Sequence, residues 1–341
     1  MWYKIISLIL LLLIFPLVIL GQNDQFFTLN NVKARPLAMG GAFTSIEDDL
    51  AAVNYNPAAY DLYRDKKPHR ITFFLNPVSP FIGALKNKDI FKGNGSTIDN
   101  FLLSLSLLLK SISVSLSSFE IGILLGEEGL NLHTTFLDEK IFGVSGFQQN
   151  HSHSLFGRLK LADKISLGGA ANFIFGSTKD KPLERFTEIG ISYGILLKPE
   201  RGLNIGVSFI NLPDSLSQFR LPLERIVDES VNIGVSYQLF SGTLISIDVR
   251  NLGEEKKRVI RELHIGMEQV LLSHLAIRAG YYKKKKGEYV ISWGIGLLDG
   301  NKIFNTENAL NHRNFYLNYS FVYESSPINT RWHFFSFIIR I

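Results

Sequence analysis

The sequence predicts an all-β fold: a transmembrane antiparallel β-barrel of about fourteen strands with a small N-terminal hatch or plug. Three observations predict it. An export leader opens the chain, and the segments beyond residue 153 alternate between apolar and polar residues over eight or more positions. Short connections also alternate with long ones, as expected when one end of a barrel carries turns and the other carries loops.

The leader comprises residues 1–21 and has the pattern of a secretory signal peptide. Lys4 is its only charged residue, an apolar run extends from Ile5 to Leu20, and Gly21 precedes a polar stretch. The alternative is a membrane anchor, but the run has about 16 residues, whereas a spanning helix needs about 20. We therefore expect cleavage and export. Because the chain contains no cysteine, a lipid-modified N-terminus and a disulfide framework are excluded.

The strand prediction rests on a period of two. Segment 231–239, VNIGVSYQL, places Val, Ile, Tyr and Leu on one face and Asn, Gly, Ser and Gln on the other, and segments 165–175, 203–211, 289–297 and 315–323 are similar. Their length of about 9–11 residues suits a tilted transmembrane strand. The polar face is small and rich in glycine, so we assign it to a crowded barrel lumen and the apolar face to lipid. A soluble exported β-sandwich is the alternative.

About eleven strands are predicted after residue 153 and three weaker ones before it. The eleven begin near Ser154, Ile165, Phe186, Leu203, Val231, Thr243, Glu262, Leu275, Tyr289, Phe315 and Trp332, and the three lie within 69–76, 111–125 and 130–136. Short turns are predicted at 162–164, 198–202, 240–242 and 272–274, and long external loops at 213–230 and 253–261. Segment 298–313 is too long for the short-turn side, and we expect a short helix there.

No enzymatic site is expected. The sequence contains no dinucleotide-binding glycine motif, P-loop, HExxH or GxSxG, so we expect neither catalysis nor a cofactor. His151 and His153 share a strand face, but without a third ligand they predict a polar pair and not a metal site. The net charge of +5 comes partly from Lys283–Lys286 and the residues around Arg258. These runs lie between apolar segments and predict loop tips, so no nucleic-acid partner is expected.

Residues 35–60, RPLAMGGAFTSIEDDLAAVNYNPAAY, predict the plug. Gly40–Gly41 permits positive φ and a close approach to a wall. Asp48–Asp49 can cap a short helix, and Asn56–Pro57 predicts a turn closed by the asparagine side chain. The stretch is too apolar for a flexible linker and lacks a paired base or nucleophile. The residues predicted to form the plug motif are Arg35, Gly40, Gly41, Asp48, Asp49, Asn56 and Pro57.

This stretch resembles the N-terminal signature of the PorV/PorQ group of outer-membrane proteins, within the FadL-like barrel class. The matching pieces are Ala34–Arg35, Met39–Phe43, Asp48–Asp49 and Tyr55–Ala58, and LKPERGLNIGVSFINL and HLAIRAGYY also read like turn-strand units of that group. The resemblance implies a hatch inside the barrel. It therefore implies a signal peptide at 1–21, a hatch or plug segment at 22–69 and a barrel at 70–341.

The resemblance also implies a place and a function. It implies the outer membrane of a Gram-negative (diderm) bacterium, with outer-membrane lipid around the barrel. The protein would be a non-enzymatic shuttle or scaffold of protein secretion, of type IX kind, and its external loops would bind machinery proteins or exported cargo. The alternative is a FadL-type transporter of hydrophobic small molecules with a ligand in the lumen. That alternative needs an apolar pocket, which lumen-facing Gly, Ser and Asn do not build.

Overall fold

The computed structural model covers most of the barrel wall and the plug. It describes residues 25–28, 32–48, 50–61, 69–77, 102, 105–128, 151–177, 185–211, 229–240, 242–252, 261–271, 275–283, 288–297, 314–325 and 330–341. The predicted leader, the predicted strand at 130–136, the turn at 272–274 and segment 298–313 lie outside these residues. The long loops predicted at 213–230 and 253–261 lie almost entirely outside them.

The described residues form mainly strands. The strands are β1 (Gln25–Thr28), β2 (Arg70–Leu75), β3 (Leu109–Ser115), β4 (Phe119–Glu128), β5 (His151–Ala162), β6 (Ile165–Ser177), β7 (Arg185–Glu200), β8 (Leu203–Asn211), β9 (Glu229–Phe240), β10 (Thr243–Arg250), β11 (Glu262–Leu271), β12 (Leu275–Lys283), β13 (Tyr289–Leu297), β14 (Asn314–Glu324) and β15 (Thr330–Arg340). The eleven starts predicted after residue 153 are confirmed to within three residues. The predicted strand at 111–125 is wrong: Leu116–Ser118 divide this segment into β3 and β4.

The sheet closes on itself. From β2 to β15 each strand pairs antiparallel with the next, and β15 pairs back with β2 through Ile339–Leu75 and Arg340–Phe74. This confirms the predicted closed antiparallel barrel of about fourteen strands. β1 is a further strand, and it pairs parallel with β15 along Arg331–Phe334. β15 therefore has two partners on the side where the barrel closes. β2 pairs with its C-terminal end, and β1 pairs with its N-terminal part.

The two faces of the wall differ as the alternation predicts. On β7, Ile189, Ile191 and Tyr193 are 59%, 57% and 53% exposed, whereas Ser192 is 5% exposed. Outward aliphatic side chains continue this belt along β8 to β13. A contiguous apolar surface around a closed barrel is the surface that hydrocarbon covers in a membrane. The chain thus forms a transmembrane β-barrel, and no helix in the part of it described is long and apolar enough to cross a membrane.

Short connections lie at the end of the barrel that carries the last residue. The turn at 116–118, the Asp163–Lys164 turn and the Arg201–Gly202 turn each join consecutive strands there. Ile341 pairs with the backbone of Phe73 at this same end, through hydrogen bonds of 2.9 Å in both directions. The short-turn end predicted from the sequence is thus one physical end of the barrel.

The plug lies inside this wall. It contains α1 (Ala34–Ala38), α2 (Leu50–Val53) and a 3-10 helix (Pro57–Ala59). α1 packs against β12 to β15, while the 3-10 helix packs against β5 to β7. Met39, Phe43 and Ile46 are buried between them. The segment therefore crosses the lumen from one side of the barrel to the other.

Candidate functional site

The candidate site is the contact between the plug and the inner wall. Glycines on the wall allow the plug backbone to approach it closely. A Cβ added at Gly294 would lie 2.5 Å from Ala38 Cβ, and one added at Gly280 or Gly266 would overlap the plug backbone at Gly40 or Met39. On the opposite side Gly168 lies against Pro57, and Gly206 lies against Thr44. The small, glycine-rich face seen in the sequence is thus the face on which the plug backbone rests. Those inner-wall glycines are Gly168, Gly194, Gly206, Gly266, Gly280 and Gly294.

The glycine pair of the plug bends the chain sharply. Gly40 and Gly41 have φ of 63° and 73°, in the left-handed region that side chains disfavour. The amide of Gly40 donates to Ser292 Oγ at 3.0 Å, and Ser292 Oγ donates to the Ala38 carbonyl at 3.1 Å. The Arg250 guanidinium donates to the Gly41 carbonyl. The bend therefore lies against the wall and has wall partners for its backbone groups.

A wall carboxylate binds the chain just after this bend. The amides of Phe43 and Thr44 both donate to Asp248 Oδ2, each at 2.8 Å. Asp248 is fully buried and stands on β10, where it packs against Gly234. Two backbone donors on one carboxylate oxygen make a charge-assisted contact stronger than a neutral hydrogen bond. The only sign of this contact in the sequence is that Asp248 is a charged residue on the small polar face of its strand.

Arg35 joins the plug to the wall through a buried ionic cluster. Its guanidinium lies 3.0 Å from Asp48 Oδ2 and donates to both oxygens of Glu268, at 2.9 and 2.7 Å. Arg278 Nε donates to Glu268 Oε2 at 2.6 Å. Burial by itself lowers the pKa of Arg35, but the carboxylates of Glu268 and Asp48 outweigh it and hold that pKa above its ordinary value.

Of the two adjacent acids of the plug motif, Asp48 and Asp49, the structure describes the first. The side chain of Asp48 binds Arg35. Its backbone forms a bridge with the residues around Tyr60: the Asp48 amide donates to the Ala59 carbonyl (3.1 Å), and the Asp48 carbonyl accepts from the Asp61 amide (2.9 Å). Asp48 thus joins the two ends of the plug. Asp49 lies outside the described residues.

A second ionic cluster holds the other side of the plug. Arg158 on β5 lies 2.9 Å from Glu47, 3.1 Å from Asp61 and 3.4 Å from Glu120. Lys198 reaches Glu47 at 2.7 Å. Glu47 and Asp61 belong to the plug, and Arg158 is almost completely buried. Charges at this depth are stable only with partners, so the cluster fixes the plug to β5 and β7.

Asn56 and Pro57 set the path at the end of the plug. Asn56 Oδ1 accepts a hydrogen bond from the Ala58 amide at 3.0 Å, which starts the 3-10 helix with Pro57 in its first turn. Asn56 Nδ2 donates to the Thr44 carbonyl at 2.8 Å and to the Ile195 carbonyl at 3.2 Å. One side chain thus links two parts of the plug to the wall strand β7.

Parts of the inner wall are apolar, contrary to the composition of Gly, Ser and Asn expected from the sequence. Tyr282, Val290, Val322, Trp332 and Phe334 project inward from β12 to β15 and pack against Ala34 and Leu37 of α1. We call these five wall residues the lumenal apolar patch. A second apolar cluster of the wall includes Phe74, Leu124 and Phe156 and packs against Tyr60 of the plug. The lumen thus contains apolar surface, which side chains of the plug cover.

These features define the class of the protein: a transmembrane antiparallel β-barrel whose N-terminal segment fills the lumen as a plug. Within the described residues, no three His, Asp or Glu side chains gather as a metal site would require. No protein-family model matches the chain, and no curated protein matches its sequence.

Several solved barrels resemble the structure. They include CymD, a monoaromatic hydrocarbon channel (9% identity, TM-score 0.47, 92% of this chain and 97% of that chain). The toluene transporter TodX of Pseudomonas putida has 12% identity and a TM-score of 0.47, with 93% and 98% covered. A FadL homologue of Pseudomonas aeruginosa has 11% identity and a TM-score of 0.42, with 89% and 91% covered. Likeness at this level carries no conclusion about the ligand or partners of this chain.

Proposed function

We propose that the protein is a non-enzymatic outer-membrane channel that admits small, largely apolar molecules past a displaceable N-terminal plug. The observation that carries the proposal is the lumenal apolar patch, which lies inside the barrel and not on its lipid face. A water-filled ion pore would have a polar lining instead. The outward aliphatic belt supports the membrane location, and the predicted leader supports export to the outer membrane.

In this proposal the seated plug closes the channel. Ala34 and Leu37 of α1 cover the lumenal apolar patch when the plug is seated. An apolar solute that takes their place removes its own surface from water, which contributes about 25 cal/mol per Å² buried. Solute binding and the seated α1 therefore exclude each other, and the solute opens its own path.

The secretion scaffold expected from the PorV/PorQ resemblance has weaker support. That function places its partner surface on the external loops, and the predicted loops at 213–230 and 253–261 lie almost entirely outside the described residues. The channel function rests instead on the lumenal apolar patch, which lies within the described residues.

The tryptophans allow a direct test. The chain has three, at positions 2, 293 and 332, so removal of the leader leaves only Trp293 and Trp332. Trp332 is buried in the lumenal apolar patch, whereas Trp293 lies in an aromatic group with Phe321 on the opposite face of the wall. Purified Trp293→Phe protein in detergent then reports on the lumen alone, and Trp332→Phe protein is the matched control.

The probe is 1-bromooctane, whose heavy atom quenches tryptophan fluorescence. We expect saturable quenching in the Trp293→Phe protein and only a linear, partition-type response in the Trp332→Phe protein. A glucose-sized polar brominated probe should quench neither. Linear responses of equal slope in both proteins would contradict the channel proposal. Stable co-purification of a second protein in place of bound lipid would favour the secretion scaffold.

A further inference from the structure

Two buried polar atoms on the inner wall have no hydrogen-bond partner among the described residues. They are Asn251 Nδ2, just after β10, and Glu262 Oε1, at the start of β11. Asn251 and Glu262 are 3% and 2% exposed. Arg250, the residue before Asn251, is the cross-strand partner of Glu262, so the two atoms belong to neighbouring positions at the base of one connection. A buried polar group without a partner is costly, so both atoms are placed to meet a polar group from outside the wall.

Asn251 is fixed in an unusual backbone conformation. Its φ of 60° is the only positive value of a residue other than glycine in the part of the chain described. Its backbone amide donates to Asn232 Oδ1 at 3.2 Å, and its own Oδ1 accepts from Ser230 Oγ at 2.8 Å. Strained residues held in this way by their surroundings cluster at ligand-binding positions. One end of the Asn251 side chain is thus bonded to the wall, while its Nδ2 is left for another acceptor.

A hydroxyl group fits the pair formed by Asn251 Nδ2 and Glu262 Oε1. The amide nitrogen donates, the carboxylate oxygen accepts, and a hydroxyl does both. A single ligand oxygen can therefore accept from Asn251 and give its own hydrogen to Glu262. An acid would instead place its carboxylate against that of Glu262, and a hydrocarbon would leave both atoms without a partner.

The lumenal apolar patch begins next to this pair. His264 Nε2 lies 3.3 Å from Glu262 Oε2, and the His264 ring stacks on Tyr282 with centroids 4.1 Å apart. Tyr282 is itself a member of the lumenal apolar patch. From Asn251 to Tyr282 the inner wall thus changes from hydrogen-bonding to apolar over three adjacent strands, β10 to β12. A molecule that lies along it must have a polar head and an apolar body.

We propose that the lumen binds uncharged amphipathic molecules with a hydroxyl head, which Asn251 and Glu262 hold while the apolar body lies on the lumenal apolar patch. This inference rests on the proposed channel function and narrows its substrates to alcohols with an apolar chain or ring. The neighbouring cation, Arg250, is engaged by the plug: its guanidinium donates to the Gly41 carbonyl and lies over the Tyr55 ring. The pair also lies at the end of the barrel opposite Ile341, where the long loops are predicted.

Two brominated probes of equal chain length, 8-bromo-1-octanol and 1-bromooctane, test the head group. Trp293→Phe protein, in a detergent without hydroxyl groups, reports through Trp332, and the linear response of Trp332→Phe protein corrects each probe for its partition into detergent. We expect the alcohol to reach half-saturation at a corrected concentration at least about fivefold lower than 1-bromooctane does, the factor expected of one net hydrogen bond. 8-Bromooctanoate, ionised at about pH 8, should bind more weakly than the alcohol.

Variants separate the two contacts. Asn251→Gly suits the φ of 60° and removes the amide, so the alcohol should lose its advantage over 1-bromooctane. Glu262→Gln keeps an oxygen acceptor but removes the carboxylate, so that advantage should remain, while binding of 8-bromooctanoate should approach that of the alcohol. Asn172→Ala is the control and should keep the parent's order, because it removes a different lumenal amide, one bonded to Ser154 and Ser192.

The outcomes separate this inference from the channel proposal. Saturable quenching by 1-bromooctane with no tighter binding of the alcohol would overturn the inference and leave the channel intact. Linear quenching by both probes would overturn the channel proposal, and the inference with it. An equal loss of the alcohol's advantage in Asn251→Gly and Asn172→Ala would also overturn the inference, since the preference would then belong to the polar wall in general. If Asn251→Gly does not fold, Glu262→Gln serves: undiminished discrimination against 8-bromooctanoate in that variant would contradict the proposed contact.

Discussion

Arg35 of the plug and Glu268 of β11 are joined by two parallel hydrogen bonds, 2.9 Å from Nε to Oε2 and 2.7 Å from Nη2 to Oε1. The same carboxylate accepts a third bond from Arg278, at 2.6 Å. Glu268 is therefore the anion between two guanidinium groups, one on the movable segment and one on the wall. Glu268 is the wall carboxylate that holds Arg35, since without it Arg35 and Arg278 would face each other with only the plug carboxylate of Asp48 beside them.

Glu268→Gln should release α1 while the barrel persists. Removing one partner of a buried ion pair costs about 3–5 kcal/mol, and this cost applies to the plug because the strands pair with one another. We expect normal heat-modifiable migration on a gel, together with faster protease cleavage within residues 35–60. Glu200→Gln, at the exposed end of β7, is the matched control and should behave as the parent. Loss of heat modifiability in Glu268→Gln would show that the cluster stabilises the barrel itself.

Gly280→Ala should displace the plug with only one added methyl group. A Cβ there overlaps the backbone at Met39 and Gly40, which cannot move aside as a side-chain tip can. Gly169→Ala is the control, since its Cβ would meet only the Ser192 carbonyl, at 3.7 Å. Because the chain has no cysteine, a Ser45→Cys thiol on a fully buried plug residue reports plug opening through its labelling with a polyethylene-glycol maleimide. We expect faster labelling in Gly280→Ala and unchanged labelling in Gly169→Ala. Equal labelling of both would mean that the plug is not seated against β12.

The sequence was sufficient for the strands because a strand with one face in lipid must alternate at every residue. It was not sufficient at the β3–β4 turn, where the alternation breaks only at Ser117–Ser118, since such a break also fits a bulge within one strand. The sequence also could not predict which residues pair across the lumen. Arg35 and Glu268 are 233 residues apart in the chain, and many lumenal acids could form an ion pair with Arg35.

The apolar lumen was missed for a different physical reason. On β15 both faces carry apolar or aromatic side chains, so a period of two does not distinguish the lumen from the lipid side of this strand. Phe334 projects inward and is fully buried, yet its neighbour Phe335 on the opposite face is also aromatic. Only the register, which pairs Phe334 with Ser320 and Phe335 with Tyr319, shows which side each ring occupies.

Val235→Arg and Ser236→Arg should fail in different ways. Val235 is 43% exposed on the outward face, so an arginine there costs about 2–4 kcal/mol near the membrane midplane and should slow barrel insertion. Ser236 is 1% exposed and donates to the Ser45 carbonyl at 3.2 Å, so the lumen has no free space at that position. We expect Ser236→Arg to insert normally but to expose the plug to protease. Insertion into lipid vesicles, followed by proteolysis, distinguishes the two, and equal insertion would mean that the faces are wrongly assigned.

Substitutions at the glycine pair should loosen the plug in a definite order. Both residues have positive φ, which costs a β-branched side chain at least about 1–2 kcal/mol. A Cβ on Gly40 would also lie 2.7 Å from the backbone nitrogen of Tyr281, whereas one on Gly41 meets the end of the Arg250 side chain at 3.1 Å. Arg250 can shift and Tyr281 cannot. Gly40→Val should therefore open the plug more than Gly41→Val, with normal heat modifiability in both.

Conductance in a planar bilayer and protease access from the short-turn side measure that order. A plug that leaves its seat exposes residues 35–60 and lets small ions through the lumen, so both readouts should rise from the parent to Gly41→Val and again to Gly40→Val. Gly157→Ala is the control, because its added methyl would meet its nearest atom at an ordinary 3.6 Å. If both valine variants match the parent, and the parent is itself cut readily within residues 35–60, the segment is a tether and the lumen is closed by something else.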